Sequence, residues 1–161
     1  MITLLAVTFI IIFVLNGRFS EQSFREGLIS KELKAQTEKY QLCADNTLIR
    51  ARWGLILDRN RSQLLYLTIK ARNLESQLLD LRQVGGCTIL KSYNKPRSFY
   101  PLKDQIRKEY LESISLSIKY NDDYCQIPFF RYGIDKLSEM KMLARQARHW
   151  QRLIHNKLTQ Q

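Results

Sequence analysis

The chain is short of the residues that most catalysts need. Three cysteines and two histidines stand among 161 residues, with no CxxC or Cys/His spacing, which excludes the usual zinc clusters. Three prolines and six glycines are few breakers, and with 45% hydrophobic residues the chain is too apolar for a disordered polymer. No Gly-rich phosphate loop is present. His149 and His155 have no acid at relay spacing, and Ser113, Ser115 and Ser117 sit on no nucleophile elbow. Acid is scarce as well: 15 Asp plus Glu against 26 Lys plus Arg give a formal net charge of +11. The length suits one domain, or an anchor and a modest domain, not an enzyme with its own cofactor fold. These absences predict a protein without catalytic residues, cofactor or metal.

What is present begins with an uncharged run, Ile2 to Leu15, followed by Asn16, Gly17 and Arg18. Fourteen helical residues reach about 21 Å, against ~30 Å of bilayer hydrocarbon. The run reads as a membrane anchor over residues 1–17, with a cleaved signal or a buried core helix as alternatives. No basic stretch precedes it, and only Leu15-Asn16-Gly17 comes near a cleavage site. Arg18, Arg25, Lys31 and Lys34 follow it, interleaved with Glu21, Glu26 and Glu32. The positive-inside rule therefore has little to compare. The expected location is the bacterial inner membrane, single-pass, with the bulk of the chain in the periplasm.

Residues 18–84 lack proline and are expected to form one long coiled-coil helix. Leu57, Asn60, Leu64, Leu67, Ala71, Leu74, Leu78 and Leu81 follow steps of three and four, the signature of a heptad seam. Carried backwards, the seam meets Trp53, Arg50, Asn46 and Cys43. Asn60 is the residue type that fixes register between parallel helices. The seam predicts either a homo-oligomeric coiled coil or a helix folded back on the C-terminal helices.

Residues 85–161 are expected to form a small basic helical domain with room for a short β-hairpin. Gly85-Gly86 mark the end of the long helix, and Cys87 to Tyr93 is β-prone. A helix is predicted from Pro101 to Tyr120, with Leu102, Ile106, Tyr110 and Ile114 on one stripe. Asn121-Asp122-Asp123 reads as a loop. A last amphipathic helix, about Ile134 to Leu158, would carry Leu137, Met140, Ala144, Ala147, Ile154 and Leu158 on its apolar stripe. The fold class is thus all-α.

Two constellations stand out. Lys141, Arg145, Arg148 and Arg152, at spacings of four, three and four, make one basic ridge. Such a ridge can be a solvated face, or it can lie along lipid or nucleic-acid phosphates or dock an acidic partner. Trp150 beside it reads as a half-buried core residue or an interface anchor. Cys87 and Cys125 flank the middle helix and, outside the cytoplasm, could close a disulfide. Cys43 on the seam could cross-link two copies; three reduced thiols are the plainer reading.

Taken in order, the parts are a short anchor, a long basic helix, Cys87 just past it, the Cys125-Gln-Ile-Pro128 and Asp135-Lys-Leu137 segments, and a terminal amphipathic helix. This order resembles the inner-membrane spanins of tailed phages and prophages and the related lysis-regulatory proteins. The helix Pro101 to Tyr120 and the LTQQ end depart from that family. The resemblance implies a protein without a catalytic site that pairs with an outer-membrane lipoprotein and joins two membranes during host lysis. The function expected is therefore a membrane-anchored helical scaffold or tether, spanin-like or part of a secretion, conjugation or cell-division complex. A basic nucleic-acid-binding protein is the alternative.

Overall fold

The long helix stops early. The computed structural model describes residues 2–71, 73–94 and 110–159, with side chains from Glu21 onward, and it divides into two compact units, Met1–Asp80 and Leu81–Gln161. In the first, helix α1 (Ile2–Tyr40) ends where Gln41 turns left-handed, φ 53°. The Leu42 N–H donates to the Thr37 carbonyl at 2.9 Å and the Gln41 N–H to that of Glu38 at 3.1 Å. That pair of bonds is a Schellman stop, and Leu42 follows it into the core.

Strands come next: β1 (Asn46–Arg50), β2 (Trp53–Asp58), β3 (Gln63–Lys70) and β4 (Asn73–Asp80). They form an antiparallel meander in chain order. The sequences WGLILD and QLLYLTIK are runs of consecutive apolar and β-branched residues, and all six residues of β2 are buried. Tight turns join the strands at the left-handed residues Ser62 (φ 54°) and Ala71 (φ 46°).

The coiled coil expected over 18–84 is therefore absent. Leu57 and Leu64 face each other across β2 and β3, Leu67 lies on β3, Leu74 and Leu78 lie on β4, and Asn60 sits in the β2–β3 turn. Leu81 opens a single 3₁₀ turn, Leu81–Gln83. Consecutive apolar residues satisfy a step of three or four as readily as a step of two, so the spacing of these leucines could not decide between rod and sheet.

α1 packs on β1, β2 and β3 through a core of Ile29, Leu33, Leu42, Ile56, Leu65 and Leu67. Each such side chain, fully buried, is worth roughly 1.5–3 kcal/mol. Gly54 makes the approach possible. A Cβ there would collide with Leu33 Cδ1 and come within 3.0 Å of Ile29 Cγ2, so any larger residue has to displace the two side chains that pack over the bare backbone.

The membrane anchor is corrected too. Ile2 to Leu15 is the opening part of α1, and its side chains lie outside the described set. Among the described residues no helix is long and apolar enough to cross a membrane. The run is short, and it continues without a break into a charged helix. A single-pass anchor, and the inner-membrane location drawn from it, are not supported.

In the second unit β5 (Val84–Asn94), β6 (Tyr110–Tyr120) and β7 (Asp123–Arg131) form an antiparallel sheet with β6 in the centre. Of the helix expected over Pro101 to Tyr120, residues 101–109 lie outside the described residues, and Tyr110–Tyr120 is a strand. Its sequence explains why: Ile114, Leu116 and Ile118 are buried and alternate with Ser115, Ser117 and Lys119, the period of a pleated strand. The turn to β7 falls at Asn121-Asp122, with Asn121 left-handed, φ 53°. Gly85-Gly86 lie inside β5, beside an irregularity in its pairing, and end no helix. Pro128 is tolerated in β7 because a bulge interrupts the ladder there. The all-α class is thus replaced by two antiparallel sheets, each with a helix packed on it.

Candidate anion-binding site

Helix α2 (Met140–Leu158) is rich in Met, Leu, Ala, Arg and Gln, all strong helix formers. Leu143, Ala147, Trp150 and Ile154 are buried, and the helix packs on all three strands of its sheet. The apolar stripe expected from the sequence is rotated: Ala147 and Ile154 belong to it, whereas Leu137 precedes the helix and is 60% exposed. Trp150 is 3% exposed, a core residue rather than an interface anchor.

Lys141, Arg145, Arg148 and Arg152 follow the same four-three-four step, displaced from the buried set by two residues. Two residues are about 200° of helix rotation, so the ridge faces away from the sheet, and all four residues are exposed. Among the described residues no carboxylate forms an ion pair with any of the four, and no Asp or Glu occurs after Glu139. The nearest side-chain bond is weak, Arg148 Nε donating to the Ala144 carbonyl at 3.4 Å.

Arg145, Arg148, Gln151 and Arg152 border a shallow open cavity of about 470 Å³. Gln151 was passed over in the sequence, though its position one residue before Arg152 is a usable signal. Its Nε2 donates to the Cys87 carbonyl at 3.1 Å, which ties the helix to β5. Guanidinium groups bordering a concave surface suit phosphate, sulfate or carboxylate oxygens.

The other sequence candidates fall elsewhere. Cys87 and Cys125 sit opposite the same residue, Ile118, one on each neighbouring strand. Two strand spacings are about 9.6 Å, beyond the ~7 Å a disulfide can bridge, and both remain thiols. Burial pushes the Cys87 thiol up to about 12, so it stays protonated near neutral pH and is no ready nucleophile or metal ligand. Cys43 is exposed in the connection from α1 to β1, so no helical seam presents it to a second copy. Among the described residues no group of three His, Cys, Asp or Glu could hold a metal ion. The seven seam residues are divided among strands, a turn and the 3₁₀ turn, and form no continuous association face.

One further group was missed. Tyr110, placed by sequence on a helical apolar stripe, is exposed at the start of β6 and lies 5.1 Å from Tyr132, ring centre to ring centre, at an interplanar angle of 50°. The Tyr132 N–H donates to the Glu112 carbonyl at 2.7 Å. A turn through Gly133 (φ 79°) follows, closed by Asp135 Oδ2, which accepts the Arg131 N–H at 2.7 Å. No family model, curated protein or solved structure matches the chain.

Proposed function

We propose that this chain is a non-catalytic binding protein that docks an anionic polymer along the exposed face of α2. The observation that carries the reading is the ridge itself: four cations on one face, without carboxylate partners among the described residues, on a helix held rigid by its opposite face. A solvated surface helix ordinarily mixes both signs. A tethering role in lysis, secretion, conjugation or division drew on the rod and the anchor, and without them the charge is the stronger guide. The experiment is retention on immobilised heparin together with anisotropy of a labelled oligonucleotide. Arg145→Gln, Arg148→Gln and Arg152→Gln combined should elute at lower salt and weaken oligonucleotide binding evenly across sequences. Exposed substitutions of this kind change stability by about 0.5 kcal/mol or less each, so the triple variant should stay folded, melting within several degrees of the parent. A triple variant that binds like the parent refutes the proposal.

A further inference from the structure

We infer that the polymer is single-stranded nucleic acid, read by the ridge through its phosphates and by tyrosines through its bases; this rests on the proposed reading of α2 as an anion dock. The ridge alone says only that the partner is anionic. The tyrosines add chemistry that a duplex or an acidic protein does not need. Tyr110 and Tyr132 are 38% and 49% exposed, so each keeps ring surface for a base. Tyr93, 54% exposed, lies on the neighbouring strand, where Asn94 pairs with Tyr110 and Tyr93 with Leu111. Paired residues share a face and successive ones alternate, so Tyr93 points with Leu111 to the opposite face from Tyr110, and the exposed pair at this end of the sheet is Tyr110 with Tyr132.

Two carboxylates near the tyrosines are engaged in local hydrogen bonds. Glu112 Oε2 accepts from Ser92 Oγ at 3.1 Å, and Asp135 holds the turn after Tyr132. The Tyr132 backbone is anchored to β6, and its ring leans on that of Tyr110. Stacking on aromatic rings is the sequence-tolerant way to hold unpaired bases, and it needs a basic track for the backbone beside it. The ridge begins at Lys141, nine residues after Tyr132, and runs about 16 Å along α2 to Arg152, enough for a few nucleotides.

The test uses the intact chain and four labelled or competing polyanions: a twenty-nucleotide oligothymidine, a duplex of equal length, heparin and polyglutamate. Oligothymidine should bind at least tenfold tighter than the duplex. Tyr110→Leu combined with Tyr132→Leu should weaken oligothymidine at least about fivefold while leaving heparin binding and the salt slope unchanged. The matching pair of Phe variants should restore binding, because the ring does the stacking. Equal affinity for single strand and duplex in the unaltered chain overturns this inference, whatever the variants do, and leaves the anion dock standing. Preference for polyglutamate overturns it in favour of an acidic protein partner. Failure to bind any of the four overturns both readings.

Discussion

The Asp58 carboxylate is wholly buried and still holds its charge. Burial alone would raise it, but N–H groups of Arg61, Cys43 and Asn60 and the Arg61 charge outweigh that and hold it below the usual carboxylate value. The Arg61 and Cys43 bonds are both 2.8 Å. Together they fasten the β2–β3 turn to the connection leaving α1, where Arg61 Nη1 also donates to the Tyr40 carbonyl at 3.0 Å. Because the folded value is depressed, the stabilisation is fully present above the unfolded value of about 3.9 and is lost as pH falls through the folded one. Asp58→Asn should cost about 1–3 kcal/mol at neutral pH. In urea titrations at descending pH, the parent should lose stability below about pH 4 more steeply than the variant. Parallel curves would show that the charge has no structural role.

At the scale of elements, the close approach of α1 to β2 depends on Gly54. Gly54→Ala should lower stability by about 1–3 kcal/mol through overpacking, and Leu33→Ala in the same chain should remove part of the added cost. A double-mutant cycle measures this, and strictly additive losses would show that the two side chains do not compete for the same space. Part of the element structure was legible beforehand. The ridge of α2 was readable because a four-three-four step of cations has one meaning on a helix, and the Asn121-Asp122 turn because its residues favour left-handed backbone. The sheets were hidden by leucine. Leu57, Leu64, Leu67, Leu74, Leu78 and Leu81 fit a heptad, and the polar run Arg59 to Ser62 that interrupts the apolar stretches at the β2–β3 turn was the evidence against it. In β6 the Ser-Ile-Ser-Leu-Ser-Ile alternation was the strand signal, overlooked because a helical stripe could be drawn through Ile106, Tyr110 and Ile114. Tyr132 carried no such pattern: its exposure and its pairing with Tyr110 arise from a turn and a strand partner distant in sequence.

For the whole molecule the question is whether binding draws on a local ridge or on the diffuse charge of +11. Each phosphate neutralised by a cation contributes about −0.7 to the slope of log affinity against log salt for a single strand. Four ridge cations predict a slope near −2.8, whereas all eleven net charges would give about −7.7. Between 50 and 200 mM salt the local model predicts a loss of roughly fiftyfold, and the diffuse model a loss more than a hundred times greater. We expect the shallower slope, reduced to about −0.7 in the triple Gln variant, where only Lys141 of the ridge remains. Anisotropy titrations of oligothymidine over that salt range measure both. A parent slope near −7.7, or a triple variant that keeps the parent slope, would place the binding energy in the general positive charge of the surface and remove α2 as its seat.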